Sequence, residues 1–182
     1  MLRIIAGEWK GLRLEIPKGP NVRPTLDRVR ESSFNILGQS LTGLHFADLF
    51  AGTGANGIEA LSRHAASCVF VDSDLRCIDT IKRNLAHTKV HNRARLMRLK
   101  LPAGLEVLSK NAGPFDVIYA DPPFDFSNYS ELLKGVSTFA LLSSGGRVII
   151  EHDAHVTMPS QAGELTLNRE TTYGKTRLSF FS

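Results

Sequence analysis

Cysteine is scarce, with two residues in a chain of 182. Cys68 and Cys77 form neither a CxxC pair nor the framework of a small secreted scaffold. A chain of this length buries enough surface to need no disulfide or metal staple. Long hydrophobic runs are missing too: no stretch approaches the ~18 apolar residues of a membrane span. Glu8 and Lys10 fall where a secretory leader would carry its apolar core. These absences exclude a membrane protein and a disulfide-built domain, and they predict a cytoplasmic protein with free thiols. The length fits about one domain with a small appendage.

Acidic residues are sparse at one end. Residues 1–30 hold seven basic side chains (Arg3, Lys10, Arg13, Lys18, Arg23, Arg28 and Arg30) against three acidic ones. Residues 31–182 balance at fifteen of each sign, so the whole net charge of +4 lies in the first thirty. A second stretch, residues 82–100, carries seven Lys or Arg and no acid. Basic patches on a neutral body point to a polyanionic partner, although solvated faces look the same from charge alone.

Along the chain, residues 3–16 read as a short hairpin punctuated by Gly7 and Gly11, followed by a linker containing Pro17, Gly19, Pro20 and Pro24. A helix follows, with Thr25 as cap, Asp27 in its first turn and Gly38 as its stop. From His45 onward, short apolar runs alternate with helical periodicity. Strands are predicted at 45–50, 68–72, 95–99, 115–120 and 146–151, and helices near 57–64, 74–88, 102–110 and 128–140. That alternation predicts an α/β fold with a mostly parallel sheet covered on both faces. Residues 164–168 and 176–181, turning about Tyr173 and Gly174, read as a closing antiparallel hairpin. The division is 1–24 as an N-terminal β-hairpin extension and linker, and 25–182 as the main domain.

The first strand of that domain runs into Asp48-Leu-Phe-Ala-Gly-Thr-Gly-Ala-Asn-Gly57, in which Gly52, Gly54 and Gly57 satisfy GxGxxG between a strand and a helix. Glycine admits positive φ and close approach of a ligand to the backbone. Twenty residues beyond Gly52, Asp72 ends the second strand, where a carboxylate can accept from ribose hydroxyls. The pair indicates an adenosine-containing cofactor and leaves nicotinamide and S-adenosylmethionine chemistry equally open. Gly174-Lys175-Thr176 imitates the end of a phosphate loop, but its first glycine would fall at Arg169.

After the fourth strand stands Asp121-Pro122-Pro123-Phe124. Two prolines remove backbone donors and stiffen the turn, leaving the Asp121 carboxylate and the Pro122 carbonyl as converging acceptors beside an aromatic face. Two acceptors suit the N–H pair of a flat amine, with Phe124 stacked on the ring. Such an amine is a weak nucleophile, and acceptors aimed at its hydrogens favour the positive charge that develops as nitrogen attacks a methyl group. The residues alone leave a DNA base, an RNA base and a protein amide open as substrates, and also a non-catalytic RNA-binding assembly factor.

The loop from Asp48 to Gly57, Asp72, and Asp121 to Phe124 resemble motifs I, II and IV of class I S-adenosylmethionine-dependent amino-methyltransferases. The resemblance narrows with Arg3-Ile-Ile-Ala-Gly-Glu-Trp-Lys-Gly, Arg23-Pro-Thr-Leu-Asp-Arg-Val-Arg-Glu31, Phe34-Asn-Ile-Leu37, Glu59-Ala-Leu-Ser-Arg63 and Tyr173-Gly174. Across nearly the whole chain these segments closely resemble the RsmD family of bacterial 16S rRNA guanine-N2 methyltransferases. The resemblance implies a Rossmann-like class I methyltransferase sheet with an N-terminal β-hairpin extension. It implies methyl transfer from S-adenosylmethionine to N2 of a guanine in 16S rRNA or the small ribosomal subunit; a 20.0 kDa chain with no obvious pairing element is compatible with a monomer, and no metal is expected. By that resemblance Asp48, Phe50, Gly52, Thr53, Gly54, Gly57, Asp72, Ser73 and Leu101 bind the cofactor. Asp121, Pro122, Pro123 and Phe124 take the base, while Arg3, Lys10, Arg13, Arg23, Arg28 and Arg30 contact RNA phosphates. The guanine must leave its stack to reach the methyl.

Two positions depart from the family pattern. Lys100 stands where relatives commonly place an acid near adenine, and His64 where they favour glycine. Glu151-His-Asp153-Ala-His155 contains metal-ligand residue types without a second ligand group, and it reads as a polar loop after the fifth strand. Trp9 reads as a packed hairpin aromatic.

Overall fold

The computed structural model describes residues 2–17, 27–88, 90 and 92–182, with only the backbone of Asp27. Arg23, the proposed Thr25 cap, the end of the linker with the 24/25 boundary, Lys89 and His91 lie outside the described residues. The elements are α1 (Asp27–Leu37), β1 (His45–Leu49), α2 (Ala55–Ser62), β2 (Ser67–Asp72), α3 (Leu75–Ala86), β3 (Ala94–Arg98), α4 (Leu105–Asn111), β4 (Phe115–Ala120), α5 (Tyr129–Thr138), β5 (Leu142–Asp153), β6 (Gln161–Ala162), β7 (Leu165–Tyr173) and β8 (Thr176–Phe181).

The strands form one sheet in the order β3-β2-β1-β4-β5-β8-β7-β6. β3 through β5 pair in parallel, and β8 and β7 close the edge antiparallel. The order reverses between β1 and β4, which opens a crevice at the carboxyl ends of those strands. Strand alternation builds a core on each side. Phe46, Phe70, Tyr119 and Ile149 face one cluster, which α1, α2, α3 and the N-terminal segment cover. Ala47, Val71, Ile118 and Ile150 face the other, under α4 and α5.

Several predicted elements are redrawn. The N-terminal segment holds no regular strand, but it pairs as a minimal antiparallel hairpin: Arg3 and Arg13 make an isolated bridge, flanked by the amides of Ile4, Gly11 and Leu14 donating to the carbonyls of Leu12, Ile4 and Leu2. Other amides of the segment bond to α2: those of Ile5 and Ala6 to the Glu59 carboxylate, that of Glu8 to the Ser62 carbonyl and that of Trp9 to the Ser62 hydroxyl. Gly7, at φ 83°, lies so close to Ser62 that an added Cβ would fall 1.9 Å from the Ser62 carbonyl oxygen. β5 begins at Leu142 rather than 146, with an irregular register between Phe115 and Val117. β7 reaches Tyr173 rather than stopping at 168, because its polar half (Asn168 to Thr172) pairs with β8 without needing an apolar face. α4 starts at Leu105, three residues later than expected. Beyond Glu151, the predicted end of the fifth strand, His152 and Asp153 continue β5 instead of forming a loop.

Candidate active site

A cleft of about 1050 Å³ opens at the carboxyl ends of β1, β2, β4 and β5. Its floor is the glycine loop. The Gly57 amide donates to Asp48 Oδ2 at 2.8 Å and the Gly52 amide to Asp72 Oδ2 at 2.8 Å, so the end of each of the first two strands holds the loop through a carboxylate. Asp72 Oδ1 accepts from the Asp74 amide at 2.9 Å. Gly54 sits at φ 77° as the N-cap of α2, a left-handed position that favours glycine. Gly57 serves a different purpose. A Cβ there would lie 2.2 Å from the Phe70 ring, so the missing side chain lets α2 sit against β2.

Phe50, Gly52, Thr53, Asp72, Ser73 and Leu101 line the cleft. Asp48, Gly54 and Gly57 do not; they lie behind the lining and shape it. Burial pushes the Asp48 carboxyl well above the usual carboxylate range, the Gly57 amide opposes this, and the Asp121 and Asp72 charges push it further up. Asp48 Oδ1 is buried without a hydrogen-bond partner. Phe50 holds a left-handed φ of 58°, a strained conformation for a non-glycine residue. Its ring meets Phe126 edge-on at 5.1 Å, and Phe126 meets Tyr129 at 5.0 Å, which walls one side.

Asp121, Pro122, Pro123 and Phe124 all reach the cleft from the end of β4. The Asp121 amide donates to the Leu49 carbonyl at 3.3 Å, tying this turn to β1, and the Phe126 amide closes it on the Pro123 carbonyl at 2.9 Å. Phe124 is 68% exposed at the rim. Lys100 is an exposed lining residue between the half-buried Leu99 and the buried Leu101.

The basic residues divide. Arg3, Lys10, Arg13 and Arg28 are exposed. Arg30 is not an RNA contact: it is 0% exposed, its Nε lies 3.8 Å from Glu59 Oε2, and it donates to the Arg3 carbonyl at 2.5 Å. Helical spacing alone gave no sign that Arg30 turns inward while Arg28 turns outward. Much of the 82–100 stretch is engaged locally. Arg83 pairs with Glu15 at 2.8 Å, Lys82 with Asp79 at 3.3 Å, and Arg93 lies over the Trp9 ring at 5.9 Å. Trp9 packs against the core, as expected. His64 adopts φ 72° at the end of α2, the backbone state glycine would take most easily.

Sequence reading takes Glu151 and His152 only as a polar loop after the fifth strand and gives no sign of Tyr119 or Asn84. Glu151 and His152 line the cleft. Tyr119, buried beneath it, donates to Glu151 Oε2 at 2.9 Å, and burial followed by the Glu151 charge pushes its hydroxyl well above the usual phenol range. Asn84 of α3 donates to the carbonyls of both Thr53 (2.9 Å) and Glu15 (3.1 Å), bridging the glycine loop and the N-terminal segment. The place of Glu151 after an apolar strand was the only signal for it. Burial raises the Cys77 thiol to about 12, so this cleft residue is no nucleophile at neutral pH. Among the described residues no group of three or more His, Cys, Asp or Glu is placed to hold a metal ion. No described helix is long and apolar enough to cross a membrane.

The family described as Conserved hypothetical protein 95 matches residues 2–182. A ribosomal RNA small subunit methyltransferase D from Haemophilus influenzae is 38% identical over 178 residues, covering 94% of this chain and 89% of the relative. The protein of the same name from Escherichia coli K12 is 32% identical over 174 residues, covering 96% and 86%. Among solved structures, the yhhF protein of Escherichia coli superposes with a TM-score of 0.82 at 30% identity, covering 99% of this chain and 96% of the other. A more distant fold neighbour, SMU.776, was solved in complex with SAH; at 16% identity and a TM-score of 0.67 the likeness is one of fold.

Proposed function

This chain belongs to the Conserved hypothetical protein 95 family, that of the ribosomal RNA small subunit methyltransferases D, and we propose that it transfers a methyl group from S-adenosylmethionine to the exocyclic N2 of a guanine in 16S rRNA. It acts in this reading as a cytoplasmic monomer on rRNA or the small ribosomal subunit. The observation that carries the proposal is the meeting, in one cleft at the switch point, of the glycine loop with Asp72 on one side and Asp121 to Phe124 on the other.

The residues present fit the cofactor. Asp48 Oδ1, buried without a hydrogen-bond partner, offers an acceptor beneath the loop for an ammonium group, directly or through water. The two Asp72 oxygens each accept one backbone amide and retain a lone pair for ribose hydroxyls. Leu99 and Leu101 supply apolar contacts for a planar base, and Lys100, a donor only, offers nothing to an adenine amine beyond its backbone. When bound, the cofactor supplies an electrophilic methyl group on a sulfonium.

The chain's own residues do the rest. Asp121 and the Pro122 carbonyl accept from the guanine amine, orient its nitrogen and stabilise the positive charge that grows on it. Phe124, exposed at the rim, stacks on the unstacked base. Arg3, Lys10, Arg13 and Arg28 hold phosphates and position the RNA; Arg23 belongs to the same proposal from sequence alone. Labelled methyl transfer to rRNA, DNA and protein tests the reading, with mass mapping of the modified position. Label at a guanine N2 of 16S rRNA is expected, and label on DNA or protein alone would overturn it.

A further inference from the structure

β5 extends past the end of β4 and carries a second carboxylate into the cleft. The parallel register pairs Tyr119 with Ile149 and Ala120 with Ile150. One step further sets Asp121 beside Glu151, and alternation sends Tyr119, Asp121 and Glu151 toward the same side of the sheet. The contact agrees, since the Tyr119 hydroxyl donates to Glu151 Oε2 at 2.9 Å. Glu151 is buried, yet it lines the same cleft as Asp121 and Pro122.

We propose that Glu151 selects the base: its carboxylate accepts from the N1–H of the guanine whose N2 amine is held by Asp121 and Pro122. This inference rests on the function proposed above. Two acceptors at the end of β4 cannot choose among bases, because adenine, cytosine and guanine all carry an exocyclic amine. The ring nitrogen beside the amine differs. It is a donor (N1–H) in guanine and an acceptor in adenine and cytosine. An ionised carboxylate only accepts, so Glu151 rewards guanine and opposes the other two. Neighbouring strands about 4.8 Å apart present acceptors at a spacing that two adjacent donors of one base edge can reach. Tyr119 is a positioning residue: by donating to Oε2 it sets the rotation of the carboxylate, and carboxylate oxygens keep lone pairs for the base.

The test uses labelled S-adenosylmethionine and two small-subunit rRNA fragments, one with guanine and one with 2-aminopurine at the mapped position. 2-Aminopurine keeps the C2 amine, presents a bare acceptor at N1 and lacks O6. Wild-type protein is expected to prefer guanine on the order of 100-fold or more. In Glu151→Gln, Tyr119 donates to the amide oxygen and the amide NH2 faces the cleft. Guanine methylation should fall about 10- to 100-fold while the guanine to 2-aminopurine ratio narrows at least about tenfold. The missing O6 is common to both enzymes, so the narrowing isolates N1. Tyr119→Phe should narrow the ratio partway, which a merely structural role would leave unchanged. An unaltered ratio in Glu151→Gln overturns the inference while leaving the proposed function standing. So does equal labelling of both fragments by the wild type, which needs no variant to fold. Failure of the wild type to label the guanine fragment overturns the function, and the inference with it.

Discussion

Two glycine-bearing loops of this molecule are each held by carboxylates on backbone amides, and they differ in what those carboxylates have left over. In the N-terminal segment, Glu59 accepts from the amides of Ile5 (2.7 Å) and Ala6 (3.0 Å) and from Arg63 Nε at 2.9 Å, with Arg30 on its other oxygen. Two arginines and two amides answer its charge inside a sealed core. In the cleft loop, Asp48 takes the Gly57 amide on one oxygen, while the other has no hydrogen-bond partner and the charges of Asp121 and Asp72, both in the cleft lining, stand nearby. A buried charge that is fully compensated fixes structure; one left short is held ready for a ligand. The segment that charge counting marked for RNA therefore owes its inner half to docking, and presents only its outer residues.

Asp121→Ala should produce the largest effect, removing one of the two amine acceptors and lowering methyl transfer about 10²- to 10³-fold in a single-turnover assay. RNA binding should be largely retained, whereas a non-catalytic assembly factor would show no change in ribosome phenotype. Glu59→Ala attacks the compensated side of the comparison. It leaves two buried arginines without their counter-charge and should cost about 3–5 kcal/mol in urea unfolding. A loss under 1 kcal/mol by the same measurement would mean that Glu59 is not the anchor of the segment.

Asp48→Asn attacks the uncompensated side. A carboxyl whose folded pKa is raised adds stability below its unfolded value and loses it as pH rises through the folded value, so at pH 7 the carboxylate is a burden. The amide should melt at the same or a higher temperature at pH 7 while binding S-adenosylmethionine about tenfold more weakly by calorimetry. A lower melting point with intact affinity would reverse the contrast. Smaller still, Arg28→Gln should weaken RNA binding and reduce its salt slope by about one unit, with cofactor affinity unchanged. If cofactor affinity falls instead, α1 serves the methyl donor.

The smallest effect concerns His152, whose imidazole is held below its usual pKa by burial, against the Asp153 carbonyl that accepts from it. Its stabilisation is complete above the unfolded pKa of about 6.5 and is lost as pH falls below it. The thermal midpoint should decline in that window, and His152→Gln should flatten the decline.

Legibility tracked sequence locality. Residues 48–57, Asp72 and residues 121–124 are contiguous or end an apolar run, so their order along the chain already places them at strand ends, and in the structure they line one cleft or, for Asp48, Gly54 and Gly57, lie behind its lining. The roles of Glu151, read only as part of a polar loop, and of Asn84 were not legible because they depend on partners 32 and 69 residues away, Tyr119 and Glu15. The N-terminal hairpin was legible only in part, for a related reason. Its glycines and apolar residues satisfy a hairpin pattern and its ends do pair, but the amides of Ile5, Ala6 and Trp9 bond to Glu59 and Ser62 more than fifty residues away, which no local pattern shows.

By itself the sequence determined the alternation of strands and helices, the glycine loop, the acid that follows it and the Asp-Pro-Pro-Phe turn, because each depends on local periodicity, local backbone freedom or a fixed spacing. It also determined that the positive charge is concentrated before residue 31. Only the tertiary structure decided which of those charges face water. Arg28 and Arg30 are two residues apart on one helix, and packing against Glu59 buries one and leaves the other exposed. Likewise, only the pairing of β4 with β5 brought Glu151 into the cleft that Asp121 lines. Burial and register are properties of elements that meet, and no segment carries them alone.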